Sequence, residues 1–308
     1  MYKFNLSILL RAIDWSINKY LLRRKTFKRK LQDVEMHLDL VTPGISKVLA
    51  IYKTREDDMV QIIKEVLKPG MTVIDCGSNI GFYPLLESRI LNGKGVIYAV
   101  EPDIRNYRIL EKNACIQPSY TEIKTFNIAL SNNSGSHKMF VAERSNLNKL
   151  ISTSNDYFPD RHNVNEIVDV KTMSIDDFCS EQKISADFIR MDIEGFEVEV
   201  FQGMKETFRN AKSGFMVFLE LHPVAYTSDR SFSHELELLI DQGFFAKVLI
   251  SAGESVPEKM KKLGYTPKKI IPSDGVMRGY YDNISNNDLV SLTCHEPKVS
   301  RYVLLQKK

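Results

Sequence analysis

The stretch VIDCGSNIGF, residues 73–82, decides the fold, because an apolar run ends there in an aspartate and a turn with two glycines. The preceding MTVID, residues 71–75, is typical of a buried strand, and FYPLLESRIL, residues 82–91, is typical of a helix. In open α/β sheets, ligands bind beyond the carboxyl ends of the strands. The turn at 76–81 is therefore predicted to hold a nucleotide-like ligand.

Short β-branched or apolar runs alternate with longer amphipathic stretches through most of the chain from residue 40. This rhythm predicts strands at 71–75, 96–100, 122–127, 187–191, 215–221, 245–250 and 301–306. It predicts helices at 56–67, 82–91, 104–115, 196–209 and 233–242. Such alternation indicates crossover units, so we expect an α/β fold with a mostly parallel seven-stranded sheet and helices on both faces.

Two regions interrupt the alternation. The runs LSNNSGSHKMFVA, residues 130–142, and IVDVKTM, residues 167–173, predict a hairpin insertion at the sheet edge after the third strand. Residues 251–298 contain four prolines and no clear period, so we expect loops there. We expect acceptor specificity to reside in 131–169 and 251–298.

The composition is that of a globular chain, with 43% hydrophobic and 26% charged residues among 308. Its four cysteines are widely separated in sequence, which predicts neither a zinc knuckle nor a disulfide framework. We therefore expect a reducing, cytoplasmic environment.

The first 30 residues differ from the rest in charge. They carry nine Lys or Arg and one Asp, a net +8, whereas the other 278 residues carry 33 basic and 38 acidic groups, a net −5. Apolar residues recur at helical spacing before the basic cluster RRKTFKRK, residues 23–30, and they are Leu6, Leu9, Leu10, Ile13, Ile17, Tyr20 and Leu21. We predict an amphipathic helical arm at 1–39 and a catalytic domain at 40–308.

Three roles are open for this arm. It could pack on the catalytic domain or on a second subunit, or it could contact an anionic membrane surface peripherally through residues 1–30. Nucleic-acid binding is the weakest alternative, because the rest of the chain is acidic. Charged residues interrupt the apolar run, which argues against a transmembrane span, and the charges follow it, unlike those of a signal peptide. The oligomeric state is left open.

The turn itself favours S-adenosylmethionine over a dinucleotide. A dinucleotide site needs G-x-G-x-x-G, but here Gly77 is followed by Asn79 and Phe82 where the other glycines belong. The pattern of Asp75, Gly77 and Gly81 suits S-adenosylmethionine instead. We expect Gly77 to let the backbone approach the ligand and Gly81 to let the helix sit close. Asp75 would accept a hydrogen bond from the ligand's ammonium, directly or through water. Amides of the turn and of the helix start would face the ligand's carboxylate.

Two further residues complete the predicted cofactor site. Glu101 ends the apolar run of YAVEPD, residues 98–103, and a carboxylate at the tip of a second strand can accept both hydroxyls of a ribose. Asn127, at the tip of the third strand, could contact the adenine edge, or it could be an ordinary polar residue at a strand end.

Six strings in this chain resemble the FkbM family of S-adenosylmethionine-dependent methyltransferases over about residues 45–222. They are LKPGMTVIDCGSNIGFYPLL, VIYAVEPDIRNYRILEKN, FNIALSNNSG, MSIDDF, ADFIRMDIEGFEVEVFQGM and FLELHP. The resemblance implies a class I methyltransferase fold and methylation of a hydroxyl oxygen on a sugar or polyketide. The chain departs from the family at Ser78, often alanine, and at Arg190, commonly lysine. Arginine stays protonated, so it cannot serve as a base.

Removing the proton of an alcohol requires a base or a metal nearby. Asp192 follows the fourth core strand, and Glu220 and His222 end the fifth, so these three catalytic candidates could converge on one acceptor site. As a base, His222 is favoured by its ordinary pKa of about 6.5. We assign no metal site, although the three could hold Mg²⁺ or Mn²⁺. Glu194 and Glu197 follow the same strand and are further candidates, and the alternative for both is that they act as acids at a helix start.

We therefore expect an O-methyltransferase acting on a glycan or lipid-linked sugar. The alternatives are a non-catalytic S-adenosylmethionine-binding module, against which Asp192, Glu220 and His222 argue, and an NAD-dependent oxidoreductase, against which Asn79 and Phe82 argue.

Overall fold

The computed structural model describes residues 6–31, 34–42, 44–116, 120–142, 148–151, 164–295 and 299–308. Its helices are α1 (Leu6–Ser16), α2 (Ile45–Tyr52), α3 (Asp57–Val66), α4 (Phe82–Leu91), α5 (Ile104–Ala114), α6 (Ile175–Gln182), α7 (Glu197–Gln202), α8 (Lys205–Arg209), α9 (Phe232–Asp241), α10 (Glu258–Lys262) and α11 (Asn286–Val290). A π-helical turn, Ile17–Leu21, continues α1.

The strands form three sheets. They are β1 (Thr26–Lys30), β2 (Glu35–Asp39), β3 (Thr72–Cys76), β4 (Val96–Val100), β5 (Ile123–Phe126), β6 (Ala129–Ser131), β7 (Gly135–Ala142), β8 (Lys149–Leu150), β9 (Val164–Ser174), β10 (Phe188–Met191), β11 (Met216–Glu220), β12 (Phe244–Ser251), β13 (Lys269–Ser273), β14 (Val276–Tyr281) and β15 (Ser300–Lys307). All seven predicted strands are present, as β3, β4, β5, β10, β11, β12 and β15, so the predicted α/β fold is confirmed.

The main sheet has nine strands, in the order β13-β14-β12-β15-β11-β10-β3-β4-β5. The five strands from β11 to β5 are parallel, and the other four pair antiparallel. Neighbouring residues of β3 point to opposite faces, where Val73 and Ile74 join two different apolar clusters. Both faces of the sheet are therefore covered, as predicted.

The expectations of loops throughout 251–298 and of a seven-stranded sheet are wrong, because the main sheet has nine strands. Residues 269–281 form the hairpin of β13 and β14, which extends the sheet at its edge. Its two-residue turn is Asp274 and Gly275, both with positive φ (51° and 80°). An Asp-Gly pair flanked by strands is a strong hairpin signal, and this turn rather than the apolar pattern identifies the hairpin.

The predicted helix at 196–209 is two helices, α7 and α8, separated at Gly203 and Met204. Gly203 lies against the backbone of β6, where a Cβ atom would be 2.2 Å from the carbonyl oxygen of Ser131. This close approach needs a glycine, and glycine weakens a helix interior.

The insertion after β5 contains the predicted hairpin, because β7 and β9 pair antiparallel. These two strands, with β6 and β8, make a separate four-stranded sheet and not an extension of the main sheet's edge. Parts of the predicted specificity segments, 143–147, 152–163 and 296–298, lie outside the described residues.

The amino-terminal helix is confirmed as α1, and the basic cluster after it includes β1, which pairs with β2. Met36 and Leu38 of β2 are buried in the same apolar cluster as Val73 of the main sheet. The division of the chain at residue 39 stays a prediction. Within the described chain, every helix is too short or too polar to span a bilayer.

Candidate functional site

A cavity opens beyond the carboxyl ends of β3, β4 and β10, where the sequence predicts the ligand. Its empty space, including the open mouth, is about 930 Å³. Gly77, Asn79 and Glu101 line one part of it, and Asp192 and Glu194 line another. The predicted cofactor turn and part of the predicted catalytic set therefore share one cavity.

Two glycines shape the turn between β3 and α4. Gly77 has φ +77°, and a Cβ atom there would lie 2.0 Å from the carbonyl oxygen of Asp192. Gly77 therefore lets the exits of β3 and β10 approach each other, besides lining the cavity. Gly81 has φ +91° and faces Leu110 of α5, so it allows α4 and α5 to sit close, as expected.

The amides of this turn are already satisfied by protein acceptors. Those of Gly77 and Ser78 donate to the carbonyl oxygen of Val100, and that of Gly81 donates to the carbonyl oxygen of Ser78. The amide of Asn79 donates to Glu101, and that of Ile80 donates to the Asn79 side chain. The expectation that amides 77–81 face a ligand's carboxylate is therefore not met, and a diphosphate would also lack these donors.

Glu101 connects the turn to the tip of β4. Its carboxylate accepts hydrogen bonds from the amides of Asn79 at 2.8 Å and Asp103 at 2.9 Å, and it lines the cavity. Burial raises the pKa of Glu101 to about 8, although the two amides oppose that rise. A carboxylate in this place suits a pair of ribose hydroxyls.

Asp75 lies beneath the cavity, and it is absent from the lining that the described residues form. Its fully buried carboxylate accepts from the Ser78 hydroxyl at 2.7 Å and lies 3.3 Å from an Arg190 nitrogen. Burial raises the pKa of Asp75, and Arg190 partly counteracts this. The structure thus gives Asp75 partners within the protein, and a hydrogen bond from the ligand's ammonium, directly or through water, stays a prediction.

Asn127 also has internal partners. Its side-chain amide donates to the carbonyl oxygens of Glu101 and Pro102, both at 2.9 Å. It thereby fixes the exit of β4, whereas Ile128 and Ala129, the next two residues, line the cavity. A contact with adenine stays a prediction.

The structure brings together Asp192, Glu194 and His222. One ligand atom from each lies within 4.8 Å of the others, beyond the tips of β10 and β11. Glu220, the third predicted catalytic residue, instead pairs with Arg301 at 3.3 Å. Burial and the nearby Asp192 raise the pKa of Glu220 to about 8. Sequence reasoning offered Glu194 among the acids that follow the fourth core strand, but it left Glu194 out of the set expected to converge with His222.

His222 is held by a buried carboxylate. Its Nδ1 lies 2.7 Å from Oε1 of Glu197, and its Nε2 lies 3.6 Å from Oε2 of Glu194. Burial alone would lower the pKa of His222, but the carboxylates of Glu197, Glu220 and Glu194 outweigh it and raise the pKa to about 10. The expectation that His222 titrates near 6.5 is therefore wrong, and the ring is an imidazolium at neutral pH.

Arg190 lies between the two halves of the site. Its guanidinium pairs with Asp75 and, at 3.0 Å, with Asp192, and it stacks 3.8 Å above the ring centre of Tyr83. One cation therefore serves two carboxylates at the exits of β3 and β10. This planar, bridging arrangement suits arginine at a position where the family commonly has lysine.

A second ion-pair group at the cavity was not predicted. The buried carboxylate of Glu56 accepts from the Tyr83 hydroxyl at 2.6 Å, from Arg55 at 2.9 Å and from Arg301 at 3.1 Å. Burial would raise the pKa of Glu56, but Arg55, Tyr83 and Arg301 lower it overall. Arg55 and Glu56 line the cavity, and nothing in their local sequence indicates this.

The side chains of Asp192, Glu194 and His222 also have the chemistry of a divalent-cation site. Two carboxylates and one imidazole suit Mg²⁺ or Mn²⁺. Glu197 holds Nδ1 of His222, which leaves Nε2 as the nitrogen that would face a cation. The predicted set included Glu220, so Glu194 replaces it in this arrangement.

The fold is that of a class I methyltransferase. The chain belongs to the FkbM methyltransferase family, because the profile described as "Methyltransferase FkbM domain" matches residues 75–246. The resemblance in the sequence is thereby confirmed.

Solved structures of methyltransferases are similar to the chain at low identity. The FkbM methyltransferase of Methylobacillus flagellatus KT is 15% identical, and the match covers 70% of this chain and 47% of that one at a TM-score of 0.35. An S-adenosylmethionine-dependent O-methyltransferase of Thermotoga maritima is 11% identical, with 92% and 86% covered and a TM-score of 0.41. Fibrillarin of Aeropyrum pernix, with natively bound S-adenosyl-L-methionine, is 11% identical, with 81% and 74% covered and a TM-score of 0.37.

The chain spans about half the length of the Methylobacillus flagellatus protein. None of the curated proteins matches it in sequence.

Proposed function

We propose that the protein transfers a methyl group from S-adenosylmethionine to a hydroxyl oxygen of a glycan or lipid-linked sugar in the cytoplasm. The observation that carries the proposal is the sharing of one cavity by a ribose-type carboxylate, Glu101, and by the acceptor-side acids Asp192 and Glu194. An oxygen acceptor follows from the family resemblance and from these acids, which can take up a hydroxyl proton.

The residues of the cavity fit S-adenosylmethionine. Glu101 would hold the ribose hydroxyls, and the apolar side chains of Ile128 and Leu130 suit a base ring. Since the turn amides are occupied, Arg55 is the better partner for the ligand's carboxylate. When bound, this ligand supplies an electrophilic methyl group.

Acceptor deprotonation falls best to Glu194. Asp192 is already neutralised by Arg190 at 3.0 Å, and His222 is an imidazolium paired with Glu197. The Glu194 carboxylate lines the cavity, and its closest cationic partner among the described residues is His222 at 3.6 Å. We infer that Glu194 accepts the hydroxyl proton, while Asp192 orients the hydroxyl group by accepting its hydrogen bond.

The occupied amides of the turn also bear on the NAD alternative. A dinucleotide's diphosphate is bound by amides that point at the ligand. In this chain the amides of residues 77–81 point at protein acceptors. This favours S-adenosylmethionine over NAD.

The test combines binding with transfer. Calorimetry with S-adenosylhomocysteine and with NAD should show binding of the first only, and NAD binding would overturn the proposal. Mass spectrometry of cell-envelope glycans incubated with protein and methyl-deuterated donor should then show a deuterated methyl ether. Tight binding without transfer to any glycan fraction would favour the non-catalytic module.

Variants test the proton acceptor. Glu194→Gln should reduce kcat by about 10²-fold or more with unchanged S-adenosylhomocysteine affinity. The control Glu237→Gln, on exposed α9 surface, should leave kcat unchanged. Full activity of Glu194→Gln would contradict the assignment. The wild type should also be assayed in EDTA and in a Ca²⁺-free buffer without EDTA. If activity is lost only in EDTA and Mn²⁺ restores it, deprotonation would be assigned to a bound metal instead.

A further inference from the structure

The outer side of the amino-terminal helix exposes a concentrated set of large apolar side chains. Of the nineteen strongly exposed large apolar residues in the described chain, eight lie within residues 6–22. They form what we call the N-terminal apolar face: Leu6, Leu9, Leu10, Ile13, Ile17, Tyr20, Leu21 and Leu22. Exposed apolar residues scattered singly are ordinary, but a contiguous group of this size indicates a binding surface.

The helix is fixed so that this face points away from the protein. On its inner side, Trp15 is buried with its ring edge against Phe27 of β1, at 5.7 Å between ring centres. Asp14 pairs with Arg29 of β1 at 2.5 Å, and Asn18 is buried beside it. Residues 15 and 18 are about one turn apart and share the inner side of the helix. Residues 6, 9, 10 and 13 recur at the same spacing on the opposite side. The exposure of the apolar face is therefore a consequence of how α1 is docked.

Exposed basic residues follow the apolar face in the sequence. Those that are exposed after the helix are Arg23, Arg24, Lys25, Lys28 and Lys30. The only acid among residues 6–31 is Asp14, which Arg29 neutralises. An apolar stripe beside a polybasic cluster offers the two signals that stable peripheral binding to anionic membranes requires.

The same charge argues against the other occupants. A second copy of this chain would bring one +8 segment against another, which is unfavourable. Helix α1 already packs on α2 and contacts Phe27 and Arg29 of β1, so the apolar face is not needed to complete the fold. We propose that the N-terminal apolar face and its basic flank bind the surface of an anionic lipid bilayer.

The position of this surface relative to the cavity matters for the acceptor. Helix α1 packs against α2, and Ile45 at the start of α2 lines the cavity. One helix therefore separates the bilayer-facing surface from the site. A membrane-held acceptor would be presented to the cavity on this side, but bilayer binding itself does not depend on the methyl-transfer proposal.

Flotation of the full chain with vesicles tests the proposal without any assay of activity. We expect the protein to float with vesicles of 70% phosphatidylcholine and 30% phosphatidylglycerol, and at least about tenfold less with phosphatidylcholine alone. Raising the salt from 50 to 300 mM should weaken binding to the anionic vesicles. Absence of flotation with the anionic vesicles, or equal binding to both kinds, would overturn it.

Two variants, each with a matched control, separate the contribution of the apolar side chains from that of the basic residues. Leu9→Ser with Leu10→Ser and Ile13→Ser should reduce flotation at least about tenfold, because three apolar contacts are lost. The control changes three exposed apolar residues elsewhere, Val256→Ser, Leu263→Ser and Met277→Ser, and should float like wild type. Arg23→Glu with Lys25→Glu and Lys28→Glu should also abolish flotation, whereas the exposed set Lys183→Glu, Lys205→Glu and Lys212→Glu should not.

Folding and self-association are checked in the same samples. Each variant should retain the wild-type unfolding temperature and S-adenosylhomocysteine affinity, so that loss of flotation reports the surface alone. Light scattering should give the mass of a monomer both for the wild type and for the variant with Leu9, Leu10 and Ile13 changed. A wild-type dimer that the Leu9, Leu10 and Ile13 changes dissociate would make this face an interface between copies and overturn the membrane proposal.

Discussion

The partly buried ring of His222 pairs with the buried carboxylate of Glu197, with 2.7 Å between Nδ1 and Oε1, so the ring is fixed in direction and in charge. Glu197 is fully buried at the start of α7, and His222 follows β11. The pair therefore joins two elements that meet at the end of the cavity. Glu197 acts as a positioning residue, because it touches the ring and not the cavity.

Glu197→Gln should return the pKa of His222 from about 10 towards its ordinary value of 6.5, because the main charge that opposes burial is removed. Imidazole shifts in a nuclear magnetic resonance titration would measure this directly. In the wild type, the raised pKa means that His222 stabilises the fold fully below pH 6.5, and that this contribution is lost as pH rises through 10. The variant should lack that alkaline loss, whereas Glu235→Gln on α9 should keep it.

Gly77→Ala should destabilise the protein by about 3–5 kcal/mol, from a positive φ and from overlap with the Asp192 carbonyl at 2.0 Å. Gly264→Ala is the matched control, since its φ of +81° is similar and nothing lies within 4 Å of the added Cβ. It should cost only about 1–2 kcal/mol. Urea denaturation of both variants measures the free energy of unfolding. Equal losses in the two variants would show that the overlap with the Asp192 carbonyl does not destabilise Gly77→Ala.

Arg190→Lys tests whether the bridging guanidinium is required. A lysine keeps the charge but cannot reach Asp75 and Asp192 together while stacking on Tyr83, so we expect a loss of about 2–3 kcal/mol in the free energy of unfolding. The exposed pair of Arg209 and Glu206 provides the control. Arg209→Lys should change stability by less than about 0.5 kcal/mol. A similar small effect at residue 190 would mean that one ammonium is sufficient there.

Local patterns predicted the parallel core of the fold but not the partners within the site. The apolar runs of β3, β4, β10 and β11 are buried on both faces of the sheet, and such runs are recognisable in a single sequence. Glu56 and Arg301 are 245 residues apart, and Glu197 and His222 are 25 apart on different elements. Only the folded topology brings such charges together. The same holds for Asp75 and Asn127, whose partners within the protein the sequence did not predict.

Glu101→Gln should weaken binding of S-adenosylhomocysteine by about 10- to 100-fold, because an amide oxygen can accept only part of what a carboxylate accepts from two hydroxyls. It should also change how stability depends on pH. Burial raises the pKa of Glu101 to about 8 in the folded protein, so the wild type loses stability as pH rises from about 4.5 to 8. The shift corresponds to a loss on the order of 4 kcal/mol that the variant should not show.

Calorimetric affinity and denaturation at pH 5 and pH 8 measure both effects of Glu101→Gln in the same preparations. Glu111→Gln, on the exposed side of α5, is the control and should change neither. Unchanged affinity in Glu101→Gln would show that Glu101 does not bind the ribose. A pH dependence like that of the wild type would instead show that other buried acids, such as Glu87, whose pKa is raised by burial and by Asp75, dominate the alkaline loss.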